Sequence, residues 1–198
     1  MTKFKFLGDL SKKIGSGQTP TGGYRAYLAT GIPLIRSQNV LMREFTTVGL
    51  AYISSKTDLE MSGSRVSEDD VLLNITGASI GRVCVVPNVI CPANVNQHVC
   101  IIRCGQDLDP EYLALLLASP RFQSMINENQ AGATRQALTK AMIEEFKVPA
   151  ISLEQQKKIA AELKLQLDEV AIAKISARNQ LRDIEILPSK LLTAAFEM

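Results

Sequence analysis

The chain has 198 residues, 46% of them hydrophobic and 21% charged, with a net charge of +2. That balance supports a buried core and excludes a disordered polymer. No apolar run approaches the roughly 18 residues of a membrane span, and Met1-Thr2-Lys3-Phe4-Lys5-Phe6 lacks the apolar stretch of a signal peptide, so a cytoplasmic location with four reduced cysteines is expected.

Charge is unevenly spread along the chain. Up to residue 43, Lys3, Lys5, Lys12, Lys13, Arg25, Arg36 and Arg43 face Asp9 alone, a net of +6 in a chain whose total is +2. A basic end of that kind suits contact with a polyanion, or a solvated surface. Gly15-Ser16-Gly17-Gln18-Thr19-Pro20-Thr21-Gly22-Gly23 is too long and polar for a simple hairpin turn and reads as a loop. β-like runs follow at Ile32–Arg36, Val71–Thr76, Arg82–Val86 and Val99–Arg103, each bounded by Gly, Pro or Asn. Asp109-Pro110-Glu111 then starts a short helix with a capping residue and a Pro in the first turn, and Ser119-Pro120 repeats the device. After the polar loop Gly132–Gln136, the segment Lys140–Phe146 reads as a turn or two of helix. Residues 1–151 are therefore predicted to form one α+β (mixed α/β) domain.

From Ser152 the pattern changes. Ser152-Leu153-Glu154-Gln155 has the Ser and Gln spacing of a capping box, and neither Gly nor Pro occurs from there to Leu187, which predicts one long helix of about 35 residues from Ser152, ending near Pro188. Ala160, Leu163, Leu167, Val170, Lys174, Ala177, Leu181 and Ile184 recur on a 3-4 spacing, with Lys174 the one polar member. This is the seam of a two-helix coiled coil, unfinished without a second helix. At 1.5 Å per residue the helix reaches on the order of 50 Å.

Catalytic and metal motifs are weak throughout. Cys84, Cys91, Cys100, Cys104 and His98 are zinc-ligand types, but they are not in close pairs on turns, and Cys84 and Cys100 fall inside β-like runs where Cys acts as a small hydrophobe. His98 has no nucleophile pattern beside it. Asp109-Pro110-Glu111-Tyr112 differs from the Asp-Pro-Pro-Tyr loop of amino-methyltransferases by its missing second Pro, and no Gly-rich turn precedes it. Asp69-Asp70 lacks the Glu-x-Lys partner of a metal-dependent nuclease, and no phosphate-cradling Gly-rich loop with a following Lys occurs. The reading is a chain with no catalytic residue and no metal or cofactor of its own.

A set of polar loops remains: Gln18 and Thr19; Arg36, Gln38 and Asn39; Thr76, Ser79 and Arg82; Asn96 and Gln97; Thr134, Arg135 and Gln136. Arg presents two donors suited to guanine, Asn and Gln a donor and acceptor suited to adenine, and Ser and Thr suit phosphate oxygens. Lying between strands, these residues are candidates for a DNA-binding surface.

In order along the chain, these pieces are similar to a known family. They are Gly17-Gln18-Thr19-Pro20 with Tyr24; Gly31-Ile32-Pro33-Leu34-Ile35-Arg36-Ser37-Gln38-Asn39-Val40; Asp70 to Arg82; Asn96-Gln97-His98; Gly132-Ala133-Thr134-Arg135-Gln136; and Val148-Pro149 through Gln156, with the exit Leu187-Pro188 to Phe196. Together they resemble the specificity subunit of type I restriction-modification systems. The resemblance implies that residues 1–151 are a target recognition domain for one half of a split site in double-stranded DNA, and that 152–198 are the family's conserved spacer helix, for coiled-coil dimerisation and partner docking. It implies a non-catalytic chain whose modification subunits methylate adenine with S-adenosylmethionine and whose restriction subunit translocates DNA with ATP and Mg2+. Typical members carry two recognition domains and two spacer helices, whereas this sequence has one of each. It is therefore expected to be a half-size subunit forming an antiparallel homodimer, or a part of a longer tandem subunit. The competing expectation is a non-catalytic protein-interaction module assembled through its helix.

Overall fold

The β-like runs form strands where apolar side chains can be covered on both faces. Val71–Asn74 is buried at every position, the pattern of a central strand rather than of a half-exposed one. The computed structural model describes residues 3–128 and 137–196, and the chain divides into two units, Met1–Lys157 and Lys158–Met198.

In the first unit the order is β1 (Phe4–Phe6), α1 (Leu7–Leu10), β2 (Ser11–Ser16), β3 (Ile32–Ile35), β4 (Ala51–Ile53), α2 (Ser55–Glu60), β5 (Arg65–Val66), β6 (Val71–Asn74), β7 (Val83–Val85), β8 (Ala93–Val95) and β9 (Val99–Cys104). Then come α3 (Pro110–Leu117), α4 (Pro120–Glu128), α5 (Lys140–Glu144), β10 (Lys147–Pro149) and the start of α6 (Leu153–Phe196). One four-stranded sheet is antiparallel with order β2-β9-β6-β7; a second has order β4-β3-β8-β5, in which β3 and β8 run parallel. β1 and β10 make a separate antiparallel pair, Lys5 opposite Val148.

The core lies between the two four-stranded sheets. Leu72, Cys84, Val99 and Ile101 of the first sheet cluster with Ile35, Val66, Ala93 and Val95 of the second. Helix α3 packs on β6 and β7. Its N-terminus is capped as expected, Asp109 Oδ1 accepting from the Tyr112 amide at 2.8 Å. An edge-to-face contact between Phe122 and Phe146, 5.6 Å between ring centres, fixes α4 against the segment before β10.

Helix α6 begins with the expected capping box: the Gln155 amide donates to Ser152 Oγ at 3.3 Å and the Ser152 amide to Gln155 Oε1 at 3.2 Å. Gln156, only 2% exposed, accepts from the Asp109 amide and donates to the Asp107 and Ile151 carbonyls, tying the helix root to the approach to α3. The helix does not end at Pro188 but runs through it to Phe196. Proline removes one backbone donor, a local cost of about 3 kcal/mol, while the following Lys190, Leu191, Leu192, Ala194 and Ala195 are strong helix formers. Ser189 Oγ bonds the Ile186 carbonyl at 2.8 Å within that turn. Among the described residues no helix is long and apolar enough to cross a membrane.

Candidate nucleic-acid interface

The strand topology brings the polar loops to one edge. Because β3 and β8 are parallel, the loops after Ile35 and Val95 leave from the same side, and the Asn96 amide donates to the Ile35 carbonyl at 3.0 Å. The buried Asn74, at the end of β6, donates from Nδ2 to the carbonyls of Ser37 at 2.8 Å and Val40 at 3.2 Å. The Ile75 amide donates to the His98 carbonyl at 3.0 Å, and the Leu138 amide to the Ile75 carbonyl at 3.0 Å. The Gly17 amide reaches the Val99 carbonyl at 3.4 Å. Segments 17–19, 36–39, 75–82, 96–98 and 137–139 thus share one rim. They contain Arg36 and Arg82 and no carboxylate.

Gly17 is what permits the closest of these approaches. A Cβ there would lie 1.8 Å from the Val95 carbonyl oxygen, a backbone atom that has nowhere to go. Gly77 and Gly81 have φ of 73° and 84° and shape the tip of the β6–β7 connection. Gln123 of α4 donates to the Gly81 carbonyl at 2.9 Å and braces that tip from behind.

The candidate side chains divide by what they already hold. Gln97, Gln18 and Thr19 are exposed, as is Arg82, while Thr76 and Ser79 are half-buried. Gln18 makes a 3.3 Å contact to the Glu60 carbonyl, and Thr76 Oγ1 lies 2.5 Å from His98 Nδ1. Asn39 is a correction. It is wholly buried, accepts from the Arg36 amide and donates to the Thr46 and Val48 carbonyls, so its amide is spent on closing the 39–48 loop. Asn96 is 6% exposed, and its Oδ1 accepts from the His98 amide and shapes the turn. Arg36 is half-buried, donates to the Gly49 carbonyl at 2.6 Å and stacks over Tyr27 at 5.3 Å, which makes it a brace between loops rather than a free cation. Gln38 shares the Gly49 carbonyl at 3.1 Å. Thr134, Arg135 and Gln136 lie outside the described residues.

The +6 of the first 43 residues does not form one patch. Lys3 and Lys5 lie at β1, and Lys13 Nζ is turned to the Gly63 carbonyl at 2.8 Å, its pKa lowered by burial and by the neighbouring Arg103. Asp70, which could have been half of a nuclease pair, is fully buried and takes both Arg103 Nε and Nη2 at 2.8 Å. The Cys84 and Cys100 side chains are buried, and burial pushes both thiols up to about 12.

The family described as type I restriction modification DNA specificity domain matches residues 2–182, nearly the whole chain. The chain belongs to that family. A relative, the EcoBI specificity subunit of Escherichia coli, is 28% identical over 169 residues, covering 84% of this chain and 35% of its own length. A chain from a structure of an assembled type I restriction-modification system superposes with a TM-score of 0.76 at 19% identity, covering 98% of this chain and 45% of that one. The HsdS subunit of Thermoanaerobacter tengcongensis gives 0.65 at 20% identity over 88% of this chain and 39% of its own. The chain spans less than half the length of each of these. The structural likenesses establish the same mixed α/β fold with a long C-terminal helix.

For a DNA specificity domain, the sequence reading missed two things. The loop 41–50 belongs to the same rim, since Asn39 and Gln38 hold its Thr46, Val48 and Gly49 carbonyls. Arg43, Thr46 and Thr47 are scattered among apolar residues there rather than grouped in a polar run, so only the pairing across space reveals it. On α6, the seam residues Leu163, Val170, Leu181 and Ile184 are 39%, 48%, 57% and 66% exposed, and a second apolar row of Leu165, Ile172 and Ile186 lies opposite the seam with Ile175 beside it. A search for one 3-4 seam passes over the second row.

Proposed function

We propose that this chain is the non-catalytic DNA-reading part of a type I restriction-modification complex. Its rim of loops contacts one half of a bipartite site in double-stranded DNA and directs adenine methylation and restriction by partner subunits. Those partners supply the chemistry, with S-adenosylmethionine for methyl transfer and ATP with Mg2+ for translocation. The observation that carries the proposal is the convergence of the polar segments 17–19, 36–39, 75–82 and 96–98, with Arg36 and Arg82 among them, on one edge of two packed sheets.

The proposed working form is a homodimer through α6 with the two helices antiparallel. The seam itself favours that direction. In a parallel pair each seam residue meets its own copy, and Lys174 faces Lys174 across the core. In an antiparallel pair the layers become Ala160 with Leu191, Leu163 with Pro188, Leu167 with Ile184, Val170 with Leu181, and Lys174 with Ala177. The small Ala177 leaves the Lys174 stem a path out to solvent. Two identical readers related by a two-fold axis then require a palindromic pair of half-sites at fixed spacing.

Coexpression with a matching modification subunit, followed by single-molecule methylation mapping, tests the proposal. The expected result is a bipartite, palindromic, adenine-methylated motif present only with this chain. A methylome indifferent to its presence refutes the reading. In binding assays with duplex DNA, affinity should fall steeply with added salt, and Arg82→Ala should lower both the affinity and the salt slope by about one counterion.

A further inference from the structure

We infer that Thr76, His98 and Gln97 form a preset reading device, in which Gln97 contacts the major-groove edge of an adenine and His98 is the positioning residue that aims it. The inference rests on the DNA-reading function proposed above.

His98 is the single histidine of the chain, and it is held at every polar atom. Its amide donates to Asn96 Oδ1 at 3.1 Å, and its carbonyl accepts from the Ile75 amide at 3.0 Å. Its Nδ1 is 2.5 Å from Thr76 Oγ1 and its Nε2 is 2.9 Å from Gln97 Nε2. An amide nitrogen only donates, so ring Nε2 is the bare acceptor. The ring proton therefore sits on Nδ1 and points to the Thr76 hydroxyl. The turn after β8 and the loop after β6 are thereby locked together through one imidazole.

The consequence falls on Gln97, whose side chain is exposed. One amide hydrogen is committed to the ring. The other hydrogen and Oε1 remain, a donor beside an acceptor in one plane. Adenine presents the complement, the N7 acceptor beside the N6 donor. A phosphate presents acceptors only and would leave Oε1 opposed to another oxygen, so the geometry points to a base edge. The other candidate amides differ: Asn39 is fully occupied inside the fold, and Gln18 and Gln38 are turned to backbone carbonyls. Gln97 alone among the candidate amides of the described residues is oriented by a side-chain relay, so much of the rotamer freedom a free Gln loses on contact is lost beforehand.

Selection from a randomised duplex library by the full chain, followed by sequencing, tests this with the wild type, Gln97→Ala, Gln97→Glu and His98→Ala. The wild type should enrich a motif with an adenine at one position that Gln97→Ala frees, with a loss of preference there on the order of ten- to a hundred-fold. The other positions should persist, and the salt slope of Gln97→Ala should match the wild type because no phosphate contact is lost. Gln97→Glu, an acceptor only, should move the preference at that position toward cytosine, whose N4 donates. His98→Ala should relax the same position and no other. If it is misfolded by circular dichroism, the Gln97 variants decide alone. A motif unaltered in Gln97→Ala and Gln97→Glu overturns the assignment while leaving the DNA-reading function standing, as does a uniform loss across all sequences with a shallower salt slope. A wild-type chain that enriches no motif overturns the DNA-reading function and this inference with it.

Discussion

Asp58 illustrates how single residues hold the rim's supporting layer. It is 7% exposed, takes the guanidinium of Arg65 through two hydrogen bonds and the Asn94 amide at 2.6 Å, and Asn94 in turn accepts from Ser64. The Arg65 hydrogen bonds hold its carboxyl below the ordinary carboxylate value, outweighing the opposing effect of burial. With the folded pKa below the unfolded value near ~3.9, the unfolded chain takes up the proton first as pH falls. The stabilisation is therefore complete above that unfolded value and is lost as pH drops through the folded one. Urea midpoints at pH 7 and pH 3 should show Asp58→Asn weaker than wild type at pH 7 by about 1–3 kcal/mol, with the gap closing at pH 3. Equal gaps at both values would remove the carboxylate's charge from the account. At this scale the sequence is legible by residue type but not by what each side chain spends. Asn39, Asn96 and Gln97 look alike as amides on turns, yet Asn39 is consumed by carbonyls and an amide that folding brings to it, the buried Asn96 gives its Oδ1 to the His98 amide, and only Gln97 is exposed.

Elements with a local cause were read from the sequence, and elements made by distant pairing were not. The capping box at Ser152, the Asp109 cap and the apolar run at Val71 each carry their signal within a few residues, and each forms where expected. β1 and β10 are three residues each and pair across nearly the length of the first unit, so neither has a periodicity of its own to read. The same limit hid the second apolar row of α6, because a solvent-facing Leu165 or Ile172 means nothing until the helix is known to be long and uncovered on both faces. Those residues are 67% and 68% exposed on the face opposite the seam, a place suited to helices of a modification subunit. Leu165→Lys with Ile172→Lys should therefore leave the proposed dimer intact by light scattering and prevent its co-purification with the proposed modification subunit. A double variant that dimerises and still binds that subunit moves the docking surface elsewhere.

At the scale of the proposed dimer, the direction of the helix pair would decide what site the protein can read. A parallel pair places both readers at one end of the coiled coil. An antiparallel pair places them at opposite ends, with a separation set by the seam. The register derived from pairing Lys174 with Ala177 puts the two-fold axis between those residues, and every layer then joins unlike partners. Lys158 lies on the readers' side of that axis and, as an exposed residue before Leu163, accepts a label without touching the seam. Converted to Cys and spin-labelled, the two copies of position 158 should lie about 50 Å apart, from the rise of 1.5 Å per residue taken twice to the axis. That path stops well short of Pro188, so proline bending does not enter the distance. A parallel pair would bring the same outward-facing labels to one interaxial distance plus a helix radius on each side, about 20 Å. Pulsed dipolar spectroscopy separates the two without ambiguity. The long distance corresponds to two half-sites held apart by the helix itself, whereas the short one would dissolve the link between helix length and site spacing.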